Sequence, residues 1–143
     1  MKIKPVITNK LETRHTSFDV DFDITQNITF IVGDSGVGKS AVFSFLQELS
    51  AEDKRIKCFN YIDYKAGYKQ SLKNSNGKIF VIDNADILLD DSMREYIASD
   101  IKNQYIIIGR NPSGLLLQQD EIFELKSEKK DGRTRFSLVK MFD

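Results

Sequence analysis

The chain has 143 residues, with 21 Lys and Arg against 21 Asp and Glu, so its formal net charge is zero. A domain that holds nucleic acid through a strongly basic surface is not indicated by that balance, and 41% hydrophobic residues with 29% charged exclude wholesale disorder. One cysteine, Cys58, excludes a disulfide framework or a thiolate cluster within the chain, and its apolar surroundings, "RIKCFNYIDY", read as a buried strand thiol.

The length suits one domain. No apolar run reaches the ~18 residues of a membrane span, and "MKIKPVITNK" has no signal-peptide core, so a cytoplasmic protein is expected. In chain order, "KIKPVIT" is a candidate edge strand, which tolerates Pro5. "FDVDFDI" from Phe18 alternates apolar and acidic residues, the period of a half-buried strand. After the short "TQN", "ITFIV" is continuously apolar, and the two runs are expected to form a hairpin. Ala41, Val42, Phe43, Phe45, Leu46 and Leu49 then cover one face of a helix from Lys39 to Leu49.

"RIKCFNYID" reads as a buried strand, the lysine-rich "YKAGYKQSLKNSNG" as a loop with a short helix, and "KIFVID" as a central strand. Asp90, Asp91 and Ser92 are N-cap candidates for a helix to Lys102, with Met93, Tyr96, Ile97 and Ile101 inward. "QYIIIG" is another apolar strand and "RNPSG" a loop. Leu115, Leu116 and Leu117 cannot all face one core, so at least one either marks an exposed contact surface or, the preferred reading, is buried against the terminal hairpin. "EIFELK" and "RFSLVKMF" are expected to pair as a terminal hairpin around Asp131-Gly132. The alternation of strands and helices predicts an α/β fold: a mainly parallel central sheet between helical layers, with β-hairpins at both ends.

Between "ITFIV" and the first helix stands "GDSGVGKS", Gly33 to Ser40, which matches G-x-x-x-x-G-K-[ST] in full. Glycines allow a tight turn whose N–H groups point inward, and the following helix adds the positive end of its dipole. The backbone from Gly33 through Asp34, Ser35, Gly36, Val37 and Gly38 to Lys39, Ser40 and Ala41 is thus the candidate phosphate cradle. Lys39 would meet the β- and γ-phosphates, and the Ser40 hydroxyl would bind Mg²⁺.

On these residues the chain resembles the P-loop NTPase superfamily over roughly Ile28 to Leu125. The resemblance implies ATP and Mg²⁺ as cofactors and a P-loop NTPase-type three-layer fold. It also implies that Asp83, at the end of "KIFVID", holds Mg²⁺ as a Walker B aspartate. In the branch with an additional strand between the Walker A and Walker B strands, a polar residue at that strand's tip senses the γ-phosphate, and Arg110 and Asn111 stand there. An upstream aromatic stacks on adenine in related ATPases, which makes His15 and Phe18 candidates beside plain turn and core roles. "LSGGQ" is absent, and "DNAD" looks closer to the AAA+ style. "NKLE", Asn9 to Glu12, precedes the P-loop and reads as a coincidental likeness to the guanine reader N-K-x-D, so ATP is preferred over GTP.

Where that branch usually has a catalytic glutamate, this chain has Asn84. An amide cannot take up a proton, although it can orient a water. Asp86 either substitutes as base or caps the following turn. Binding is therefore better supported than turnover. The expected function is a slow or partner-stimulated ATPase, with a nucleotide-binding switch or scaffold as the alternative and a small kinase as a weaker third. The kinase reading would need Arg110, Arg133, Arg135 or the lysines Lys65, Lys69 and Lys73 to gather at one site. A protein partner or self-association could supply an activating arginine.

Overall fold

The structure is a computed structural model that describes residues 5–14, 17–32, 38–60 and 67–141. One eight-stranded sheet organises it, in the order β1-β2-β8-β7-β3-β6-β5-β4. The strands are β1 (Lys10–Arg14), β2 (Phe18–Asp23), β3 (Ile28–Val32), β4 (Ile56–Phe59), β5 (Ile79–Ile82), β6 (Gln104–Ile108), β7 (Ile122–Lys130) and β8 (Arg133–Lys140). The helices are α1 (Lys39–Glu52), α2 (Tyr68–Asn74), α3 (Ala85–Leu88) and α4 (Asp91–Ser99).

The expected mainly parallel three-layer fold is corrected here. The sheet is mixed and curls into a half-barrel. Strands β4, β5, β6, β3 and β7 run parallel, but the hairpins β1–β2 and β7–β8 supply four of the eight strands. They are part of the sheet rather than appendages, and their antiparallel ladders are the two longest among the described residues. A flat sheet of eight strands would be roughly 34 Å wide, three times the diameter of a helix. Yet α1 touches both β1 and β4, the two edge strands, so the sheet must wrap around it. Helical cover is otherwise thin, since α2, α3 and α4 have 7, 4 and 9 residues.

The expected hairpin of β2 with β3 does not form. Strand β2 lies between β1 and β8, and both neighbours carry cations opposite its aspartates. Arg133 grips Asp19 through Nε at 3.2 Å and Nη2 at 2.7 Å, Arg135 pairs with Asp21, and Lys10 lies 3.3 Å from Asp21. Beside β3 those aspartates would have met apolar strands. All five residues of β3 are buried, and β3 takes β6 and β7 as parallel neighbours instead. The terminal hairpin turns at Asp131 and Gly132, both with positive φ, as a tight two-residue turn demands.

Apolar residues fill both faces of the sheet. Val42, Phe43 and Leu46 of α1 meet Val20, Phe22, Ile31, Val81 and Ile106 on the concave face. Tyr68, Leu88, Met93 and Ile97 cover Phe30, Phe80, Ile82, Tyr105 and Ile107 on the other. Helix α4 begins as expected, with the Asp90 carboxylate accepting from the Met93 N–H at 2.8 Å. It ends at Ser99, so Ile101 lies beyond it and is 65% exposed rather than inward. Of the three leucines, Leu115 is buried, Leu117 half-buried and Leu116 exposed. Among the described residues no helix is long and apolar enough to cross a membrane.

Candidate functional site

The candidate site lies where β3, β5 and β6 end side by side. Strand β6 sits between β3 and β5, and the parallel register sets Ile108 opposite Ile31 and Ile107 opposite Ile82. The chain leaving β3 is the stretch expected to form a phosphate turn. Gly33, Asp34, Ser35, Gly36 and Val37 lie outside the described residues, so the site is built from what flanks them.

Gly38 is the N-cap of α1, with φ +94. A Cβ there would stand 2.7 Å from Cε1 of Phe136, so both backbone and space demand glycine. Lys39 and Ser40 open the helix, followed by Ala41. Both α3 and α4 carry an aspartate in the first turn, but α1 carries no acidic residue there and has no side-chain cap. Its positive end would favour an anion, although α2 likewise has no acidic first turn and no side-chain cap.

Asp83 follows β5, and its N–H donates to the Phe59 carbonyl at 2.8 Å. Burial pushes its carboxyl above the usual range, opposed by the Asn84 N–H, 2.8 Å from Oδ1, and by the charge of Lys39. Lys39 and Asp83, far apart in sequence, therefore act on each other across the ends of α1 and β5. A half-buried carboxylate whose charge is incompletely compensated fits a hard cation that takes one or two carboxylates and keeps its waters. Asp83 stands alone in this, since among the described residues no group of three or more His, Cys, Asp or Glu could hold a metal ion.

Asn84 has φ +54 and ψ 44, the left-handed region. Its N–H binds Asp83, and its carbonyl accepts from Ile87 at 2.9 Å and Leu88 at 3.0 Å to start α3. Asparagine tolerates this conformation far better than glutamate does, which gives the departure from the expected glutamate a backbone cause.

Both oxygens of the Asp86 carboxylate are engaged. Oδ2 accepts from the Arg110 N–H at 2.9 Å and Oδ1 from the Asn111 N–H at 3.0 Å. Gly109 permits this approach, since a Cβ there would meet Ala85 Cβ at 3.2 Å and Asp86 Oδ1 at 3.3 Å. Asp86 thus ties α3 to the tip of β6. The Asn111 side chain turns back to accept from the Ser113 N–H at 3.0 Å, whereas the Arg110 side chain is exposed.

Arg94 escaped the sequence reading. It is buried at 6% exposure and donates through Nη1 to the carbonyls of Asn111 at 2.8 Å and Ser113 at 2.7 Å. Its sequence signal was position: it stands three residues before inward-facing Ile97, which sets the two on one helix face.

Several other candidates have partners of their own. Arg133 and Arg135 are bound to Asp19 and Asp21 of β2, so they do not join Arg110. Lys69 pairs with Asp90, and Lys65 lies outside the described residues. Within "NKLE", Lys10 opens the edge strand β1 and pairs with Asp21. Phe18 packs on Phe45 and Phe136, with ring centroids 5.2 and 6.1 Å away, and His15 lies outside the described residues. Burial pushes the Cys58 thiol up to about 12, which suits an inert strand residue. No protein family model matches the chain, and no curated protein does.

Proposed function

We propose that this chain binds ATP with Mg²⁺ at the N-terminal end of α1 and hydrolyses it slowly unless a partner or a second copy assists. One observation carries the reading. Lys39 opens a helix whose first turn has no acidic residue, and half-buried Asp83 ends β5, which runs parallel to β6 and through it to β3. Lys39 would neutralise the β- and γ-phosphates, and backbone N–H groups from Gly33 to Ala41 would cradle them. Ser40 and Asp83 would hold a magnesium ion, which would supply positive charge against the phosphates. Arg110, exposed at the tip of β6, is the group available to the terminal phosphate.

Slow turnover follows from the two residues after Asp83 that could act on water. Asn84 cannot accept a proton, and the carboxylate of Asp86 is committed to two backbone N–H groups. The same facts support a second reading, a nucleotide-dependent switch without significant turnover. Titration with ATP and GTP, with and without Mg²⁺, followed by steady-state hydrolysis over a range of protein concentration, separates the two. Magnesium-dependent ATP binding with a rate per molecule that rises with concentration supports the shared-site ATPase. Binding with no turnover at any concentration supports the switch, and failure of every nucleotide to bind overturns both.

A further inference from the structure

We propose that Arg94 is a positioning residue which, paired with Asp86, fixes the loop that presents Arg110 to the terminal phosphate. The inference rests on the nucleotide-binding reading above and assigns regulation of that site to α3 and α4.

The loop after β6 is held from both sides by charge. Asp86, from α3, takes the two N–H groups of Arg110 and Asn111. Arg94, from α4, gives its Nη1 to the two carbonyls of Asn111 and Ser113, and its Nε to the Leu89 carbonyl at 3.3 Å. The two side chains face each other, with Nη2 3.7 Å from Oδ1. Gly114, with φ +80, packs against the Arg94 side chain, where a Cβ would stand 3.3 Å from Cδ. The loop thus has the N–H groups of Arg110 and Asn111 bound by a carboxylate and the carbonyls of Asn111 and Ser113 bound by a guanidinium.

A buried arginine that serves only stability is an expensive choice, because desolvating its charge offsets much of what its hydrogen bonds contribute. What it provides is a single loop geometry. Helices α3 and α4 are joined by only two residues, Leu89 and Asp90, so a shift of either helix would move the clamp and Arg110 with it.

The test uses the full chain and reads two quantities. Hydrogen exchange at the Arg110 and Asn111 amides reports the clamp, and the ratio of ATP to ADP affinity reports the placement of Arg110. Removal of a charge-assisted contact to phosphate lowers affinity by roughly ten- to a hundredfold. Arg94→Met should lose amide protection and lower the ATP-to-ADP ratio by roughly tenfold or more, as Arg110→Ala does. Arg94→Met combined with Arg110→Ala should be no worse than Arg110→Ala alone. Arg94→Lys should fall between, since an ammonium lacks the planar fork. Should Arg94→Met fail to fold, Asp86→Asn, which gives up one carboxylate acceptor, must lower the same ratio. An unchanged ratio in a folded variant, or an additive loss in the double variant, overturns the proposal alone. Absence of ATP binding in the wild type overturns the nucleotide reading and this inference together.

Discussion

Replacing Asn84 by glutamate restores the residue expected beside a Walker B aspartate, and the backbone sets a cost on doing so. At φ +54 and ψ 44 the residue is in the left-handed region. It cannot rotate out without breaking the N–H bond to Asp83 and the carbonyl bonds that start α3. A glutamate there costs roughly 1 kcal/mol in backbone strain beyond asparagine, and a second carboxylate beside half-buried Asp83 adds repulsion of the same order. Asn84→Glu should therefore destabilise the fold by about 1–3 kcal/mol, or lower Tm by roughly 3–10 °C for a chain of this size. Asn84→Gly should stay within about 0.5 kcal/mol of wild type. If the missing base limits hydrolysis, Asn84→Glu should also raise kcat, by up to ~10²–10⁴-fold. Thermal denaturation and steady-state phosphate release measure both. A variant as stable as wild type that hydrolyses no faster would refute the reasoning about this position.

Gly38→Ala should cost about 2–4 kcal/mol in urea denaturation, from the left-handed backbone and the contact with Phe136 together. Phe136→Leu in that background should recover part of the loss, and a Gly38→Ala protein of wild-type stability would contradict the packing described. Asp83→Asn should raise Tm at pH 7. Burial lifts the Asp83 pKa above its unfolded value, so the ionised form carries a penalty that is full above the folded pKa and vanishes below the ordinary carboxylate range. The advantage of the amide should shrink as pH falls into that range, and Mg²⁺ with ATP should no longer stabilise the variant. A lower Tm at neutral pH would count against this electrostatic account.

The strands that carry the site were legible because they are buried on both faces. "ITFIV", "KIFVID" and "QYIIIG" are continuous apolar runs, and β3, β5 and β6 are buried throughout. Strand partnership was not legible. Alternation in "FDVDFDI" identifies a strand with one acidic edge, but its partners are chosen by Arg133 and Arg135, more than a hundred residues away. That choice moved β2 away from β3 and turned an expected appendage into half of a curled sheet.

Residue identity did not reveal conformation. Asn84 read as a lost base, whereas its left-handed backbone supplies a reason for asparagine. Arg94 drew no reading from the sequence, although it is buried and bound to a loop seventeen residues on. Asp86 had two sequence readings, and its two backbone hydrogen bonds match neither a free base nor a local cap.

The most direct test of the central claim is a calorimetric titration of wild type and Lys39→Ala with ATP in the presence and absence of Mg²⁺. The account predicts saturable, magnesium-dependent binding by the wild type that is weakened by roughly a hundredfold or more in Lys39→Ala, with its fold intact. No binding by the wild type, or equal binding by both proteins, would contradict it.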